Sequence, residues 1–328
     1  MGFQELIIKR SCTRHGQRRH YRRLTVIFTI LLCQFMIAVI IAASLHDDRY
    51  PPTITNSISL DAKIKFLRNN KQLFGSRTVV AGSSLSLNNL DVAYLNRTLP
   101  WAAPCVNLSA WGMQIESTDF FLDFFLAHAS HVQNVVLIGQ MVDFRSGQSG
   151  SLFDRKEVWS YISGREDLLF RVRHFNLFKS LKNCQSFHRL SDTNKRYEGL
   201  LFDETGSVML DIPVSMLDGK RWNTYGLETE TNEEAYRGLE AICVKLRSRN
   251  LHYIFLVPPV RQAFRSHVTS FHALEDFKEN VRRIVIRNGG IYVDADSQLH
   301  LKDDCFVDMM HLNRNGARKV AELLAPLL

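Results

Sequence analysis

The sequence has no CxxC pair and no grouping of cysteine with histidine at zinc-ligand spacing, so no metal site is read from it and no cofactor is called for. It also has little excess charge once one segment is set aside. The formal net charge is +8, yet residues 1–23 hold Lys9, Arg10, Arg14, Arg18, Arg19, Arg22 and Arg23 against Glu5 alone, a net +6. The rest of the chain therefore carries +2, and a domain so near neutrality offers no electrostatic basis for binding nucleic acid. A hydrophobic content of 45% with 23% charged residues matches ordinary globular chains and excludes wholesale disorder. At 328 residues the chain can bury one large core or two modest ones.

Behind the basic tail lies an uncharged run from Leu24 to Leu45. At about 1.5 Å per residue, a helix of this length spans the roughly 30 Å hydrocarbon layer. A cleaved signal peptide is the competing reading, because Ala42, Ala43 and Ser44 are small, but signal h-regions run only about 7–15 residues. The basic flank before the run, against Asp47 and Asp48 after it, orients it by the positive-inside rule. The expectation is a single-pass membrane protein with a cytoplasmic tail (1–23), a transmembrane helix (24–45), a linker (46–59) and an exported domain (60–328). Four cysteines fall in the exported part: Cys105, Cys184, Cys243 and Cys305. One or two disulfides or a set of buried thiols satisfy that count equally.

Short continuous apolar runs mark five strands, at Arg77–Ala81, Cys105–Leu108, Asn134–Ile138, His252–Val257 and Ile291–Asp294. Helix-period segments alternate with them at 60–74, about 114–129, 232–249, 271–288 and 314–327, that at 232–249 opened by a cap at Thr231-Asn232-Glu233-Glu234. This alternation predicts an α/β three-layer sandwich around a five-stranded parallel sheet, doubly wound in the flavodoxin manner. Residues 145–228 interrupt the rhythm with SGQSGS, an Arg-rich helical stretch (RVRHFNLFKSLKN) and a predicted hairpin at GLLFDETGSVMLD. They read as an insertion, either shaping the substrate site or elaborating the surface.

Open α/β sheets hold their sites at the carboxyl ends of the strands. The first strand runs into Gly82-Ser83-Ser84, where a tight turn into a helix would expose the Ser84 hydroxyl. Near the C-terminus stands Asp308-Met309-Met310-His311-Leu312-Asn313. Asp and His three apart on a helical turn would share a face, the carboxylate fixing the imidazole tautomer and leaving Nε2 to deprotonate a serine. Taken singly, each has an ordinary alternative: a serine N-cap after a loop, and an aspartate cap beside a surface histidine. Trp111 and Trp222 can stack on a sugar ring or pack in the core, and Val257-Pro258-Pro259-Val260-Arg261 reads foremost as a rigid loop.

Taken together, Gly82-x-Ser84, Asn107-Leu108-Ser109-Ala110-Trp111-Gly112 and Asp308-x-x-His311-Leu312-Asn313 resemble the SGNH (GDSL-type) hydrolases in type and chain order, over about residues 60–328. The resemblance implies Ser84 as nucleophile, His311 as base oriented by Asp308, and the N–H groups of Ser84 and Gly112 as oxyanion donors, with Ser83 in place of the usual Asp. The departure is at the third block. The family has Gly-x-Asn, whereas this chain has Gly139-Gln140-Met141-Val142-Asp143. Gln140 offers a longer amide in place of the Asn, and Asp143 and Arg261 are candidates for contact with a polar substrate. Membrane-anchored relatives in cell-envelope acylation, such as the D-alanyl-transfer (DltD-like) and exopolysaccharide O-acetylation proteins, also depart from the standard blocks. The resemblance thus implies an exported esterase or O-acyltransferase on acylated envelope glycans, partnered by an integral-membrane acyltransferase. Its rival is a degenerate SGNH domain that binds glycan or scaffolds such a complex.

Overall fold

The computed structural model describes residues 21–42, 45, 50–55, 57–145, 153–174, 178, 181–182, 184–186, 200–212, 217, 219–222, 231–266 and 268–328. The basic tail before Tyr21, the SGQSGS stretch and much of RVRHFNLFKSLKN lie outside them. Tyr21–Ala42 forms helix α1, long and apolar enough to cross a membrane and with none of its most apolar stretch buried. Pro51, Pro52 and Thr55, in the expected linker, are buried.

All five expected strands form: β1 (Thr78–Gly82), β2 (Cys105–Asn107), β3 (Asn134–Ile138), β4 (His252–Val257) and β5 (Ile291–Asp294). They are parallel in the order β2-β1-β3-β4-β5. The principal helices between them are α2 (Ile58–Asn69), α3 (Ser84–Asn88), α4 (Val92–Thr98), α5 (Ile115–Leu126), α6 (Arg155–Ser163), α7 (Glu233–Ser248), α8 (Val268–Arg287) and α9 (Arg314–Leu324). The chain leaves β1 for one neighbour and returns past it to the other, so the strand order reverses at β1 and a crevice opens at the carboxyl ends of β1 and β3.

The two faces of the sheet are apolar because both are covered. Val79, Ala81, Val135, Leu137, Tyr253 and Phe255 pack against α2, α5, α6, α7 and α8. Their alternates Val80, Val136, Ile138, Ile254 and Leu256 pack against α4 and α9. Capping residues set where the helices start: the Asn232 side chain accepts from Glu234 N–H ahead of α7, and Asn313 from Gly316 N–H ahead of α9. No disulfide joins the described cysteines; Cys105, Cys243 and Cys305 are buried thiols.

Residues 200–212 form the turn of the expected hairpin but not its strands. They form a turn closed by the Asp203 N–H donating to the Ser207 carbonyl, with the Asp203 carboxylate taking the N–H groups of Thr205 and Ser207. The Gly206 N–H also donates to the Asp203 carbonyl, with Gly206 in the left-handed region that the tight turn requires. The turn docks instead on the sheet edge, where Asn107 N–H bonds the Thr205 carbonyl and Val208 N–H the Leu87 carbonyl.

Lys63 of α2 fastens this turn from below. It is 0% exposed, and its Nζ donates to the carbonyls of Asn107 (2.9 Å) and Gly206, 4.2 Å from the centre of the Phe202 ring. Burial pushes the ammonium down to about 7 against the opposing pull of Asp203. Between that value and the ordinary 10.5 the unfolded chain holds a proton the folded chain lacks, so this residue makes stability rise with pH over that window. Unfolding midpoints of full-length protein at pH 6, 8 and 10 should therefore climb more steeply in the wild type than in Lys63→Met. Parallel curves would show that Lys63 is not held this way.

Candidate active site

Gly82 makes the turn out of β1 possible. A Cβ at that position would sit 2.3 Å from the Ile138 carbonyl oxygen and 2.8 Å from Ser86 Cβ, so only glycine lets β1 run this close to the end of β3. Ser83 then caps α3, its hydroxyl accepting from Leu85 N–H (3.3 Å). Ser84 becomes the first residue of α3 and is partly exposed. An N–H in the first helical turn has no intrahelical acceptor, which leaves that of Ser84 available to a ligand.

The segment carrying His311 arrives from the far end of the chain. Its Nε2 lies 3.0 Å from Ser84 Oγ, and its Nδ1 lies 2.9 and 3.1 Å from the two carboxylate oxygens of Asp308. The structure corrects how Asp308 and His311 come to face one another. Residues 307–310 are a bend rather than a helical turn. Asp308 Oδ1 accepts from the N–H groups of Met310 (2.9 Å) and His311 (2.7 Å), folding the chain back so that ring and carboxylate meet. The Val307 N–H bonds the His311 carbonyl, and Phe306 and Leu312 pair as a β-bridge that closes the loop. Burial raises the Asp308 carboxyl, but the imidazole's charge and hydrogen bond and the two backbone N–H groups outweigh it and hold the group below its ordinary range. The arrangement suits proton removal from a serine hydroxyl: base within hydrogen-bond reach, tautomer fixed by a carboxylate.

The other candidate residues fall in different places. Asp143 lies beside the Ser84–His311 pair: its carboxylate accepts from Ser83 and from Gln140 N–H (2.9 Å), and burial raises it to about 6 against those bonds and the charges of His311 and Arg145. Gln140 is 1% exposed, with its amide NH₂ turned to the Pro258 carbonyl (3.4 Å) and its Oε1 accepting from Met141 N–H. It caps the short 3₁₀ turn Met141–Phe144 instead of presenting its amide to Ser84. Gly112 turns the loop after β2 with φ +67° and is exposed, with open space where a side chain would stand.

Arg261 is 5% exposed and tied into the scaffold, donating to the Trp222 carbonyl (2.8 Å) and Asp303 (2.7 Å) with its guanidinium 3.5 Å from the centre of the Trp222 ring. That stacking occupies a face of Trp222, and Trp111 is partly buried against Leu87, Val208 and Leu210. The Pro258-Pro259 loop is braced by Val260 N–H donating to Asp296, a buried carboxylate paired with Lys278 and Arg265. Among the described residues no group of three or more His, Cys, Asp or Glu is placed to hold a metal.

Two features went unread in the sequence. Asn107 Oδ1 accepts from Ser109 N–H while its amide donates to the Ser86 carbonyl, and Ser109 Oγ donates to Ser86 Oγ at 2.7 Å, locking the loop after β2 to α3. Asn89 bonds the backbone on both sides of His311. Asn107 lies within a quoted motif; Asn89 carries no sequence signal, since an asparagine ending a short helix is commonplace.

No protein-family model matches the sequence, and no curated protein matches it. Among solved structures the chain is similar to a lipase/acylhydrolase from Enterococcus faecalis, 11% identical at a TM-score of 0.40, over 77% of this chain and 94% of that one. It is also similar to LAE5, an alpha/beta hydrolase enzyme from the metagenome of Lake Arreo, Spain, 15% identical at a TM-score of 0.40, over 77% of this chain and 96% of that one.

Because the folded state lowers the Asp308 pKa, the stability Asp308 contributes is fully present above the ordinary carboxylate value of 3.8 and is lost as pH falls through the lowered one. Asp308→Asn should accordingly cost about 2 kcal/mol at pH 7, with its unfolding curve approaching the wild type's in strong acid. A deficit that stays constant down to low pH would mean the carboxylate is not paired as described.

Proposed function

We propose that this chain is a membrane-anchored, exported serine esterase or O-acyltransferase of the SGNH type, acting on ester bonds of acylated cell-envelope glycans. The observation that carries the reading is the 3.0 Å contact of Ser84 Oγ with an imidazole whose other nitrogen is bonded to Asp308. Ser84 attacks the ester carbonyl as His311 Nε2 takes its proton. The tetrahedral intermediate collapses, the leaving alcohol receives that proton, and an acyl-Ser84 ester remains. Water or a sugar hydroxyl, deprotonated in turn by His311, attacks this ester and restores the serine. The Ser84 N–H and, by the family resemblance, the Gly112 N–H receive the oxyanion.

The apolar α1 and the basic tail before it support an anchor with the domain on the extracytoplasmic side. The glycan substrate and an integral-membrane acyltransferase as partner follow from the resemblance to envelope-acylation proteins and from that location.

One observation favours the rival, a degenerate SGNH domain that binds glycan or scaffolds an acyltransferase. The Gln140 amide is engaged elsewhere, and the loss of one oxyanion donor typically costs about 10²–10³ in rate. Ser84→Ala separates the two readings. The enzyme reading predicts that it abolishes both p-nitrophenyl acetate turnover and labelling by a fluorophosphonate probe. Wild-type protein that neither turns over nor labels, yet binds glycan as Ser84→Ala does, would establish the rival.

A further inference from the structure

We infer that Asn89 is a positioning residue for the catalytic base, holding His311 at its distance from Ser84; this rests on the reading of Ser84, His311 and Asp308 as the catalytic groups. Asn89 is 0% exposed and is the C-cap of α3, the five-residue helix whose first residue is Ser84. Its Nδ2 donates to the Met310 carbonyl at 2.8 Å, and its Oδ1 accepts from the Leu312 N–H at 2.9 Å. One amide thus grips the peptide groups immediately before and after His311.

The rest of the loop's backbone is held largely from within, with one further tie from outside, the Arg261 N–H donating to the Met309 carbonyl (3.1 Å). Asp308 accepts from the N–H groups of Met310 and His311, and the Val307 N–H donates to the His311 carbonyl. The Asn89 pair ties the residues flanking the base to the helix bearing the nucleophile. Among the loop's backbone ties to the rest of the fold, this is the one that runs directly to the helix carrying Ser84. The role needs an amide in particular. A carboxylate would offer no donor to the Met310 carbonyl, an ammonium no acceptor to the Leu312 N–H, and an aliphatic side chain would leave both backbone groups without this partner.

Asn88 provides an internal control. It is also buried and on α3, but its amide donates to the Val208 carbonyl, away from His311. Anchoring α3 is a structural role, and its loss should lower stability without moving the base.

The test compares full-length wild type, Asn89→Ala, Asn89→Ser and Asn88→Ala in detergent, well below each unfolding midpoint. Three readouts are taken: kcat and KM on p-nitrophenyl acetate, the rate of fluorophosphonate labelling, and the low-field proton resonance of His311 Nδ1–H bonded to Asp308. Asn89→Ala is expected to lower kcat and the labelling rate about 10- to 100-fold with KM within about twofold, and to weaken or shift the resonance. Asn89→Ser, which keeps one polar partner, should fall between it and the wild type and serves if Asn89→Ala does not fold. Asn88→Ala should keep the wild-type rates and resonance whatever its melting point. Folded Asn89 variants with wild-type rates and resonance would overturn the assignment. A wild type that is inert in both assays would instead count against the catalytic reading, while the resonance would still report whether Asn89 holds His311 in place.

Discussion

The hydrogen bond between His311 Nε2 and Ser84 Oγ joins positions 227 residues apart, and much of the structure around it bears on whether those two atoms can stay 3.0 Å from each other. A single hydrogen bond contributes too little to close a loop of that length, since its net stabilisation is about 1 kcal/mol. The meeting is enforced by elements that would pack together without it. Helix α9 closes one face of the sheet through Ala317, Val320, Ala321 and Leu324, buried against the same layer as Val80 and Ile138. Arg318 of α9 pairs with Asp91, a buried residue that also caps α4, and Asp91 N–H bonds the Ala317 carbonyl. Once α9 is fixed beside α4, the loop preceding it has little choice but to pass over the end of β1.

Within that loop polar bonds add to the packing of the buried Val307, Met309 and Leu312. Asp308 serves twice, as the partner of the imidazole and as the acceptor that bends its own backbone. The two uses are coupled, because the same carboxylate geometry that fixes the ring orientation fixes the turn. At the opposite side of the crevice, Gly82 allows β1 to end against β3, and Asn107 and Ser109 lock the loop after β2 onto α3. Ser84, α3 and the loop after β2 therefore form one hydrogen-bonded unit on which the segment carrying His311 is seated.

Much of this was legible in the residues. Strands buried on both faces appear as unbroken apolar runs, so Asn134–Ile138, His252–Val257 and Ile291–Asp294 coincide with the observed elements, and β1 differs by a one-residue shift at each end. Gly-x-Ser and Asp-x-x-His named the groups that meet. What stayed hidden was set by contacts between distant segments. The bend at Asp308 mimics the spacing of a helical turn, because an i to i+3 approach arises either way. The turn at Asp203 has apolar residues on both sides and reads as a full hairpin, whereas only its turn forms and no strand flanks it within residues 200–212. The direction of the Gln140 amide depends on the Pro258 carbonyl, 118 positions away, which no local pattern reports.

The central claim is that Ser84, not another hydroxyl in the same stretch, is the activated one. The most direct measurement is to treat the wild-type protein with a fluorophosphonate, digest it with trypsin and locate the adduct within the peptide from Thr78 to Arg97, which also contains Ser83 and Ser86. The account predicts a single phosphonyl group on Ser84. An adduct on Ser83, on Ser86 or on a different peptide would contradict it.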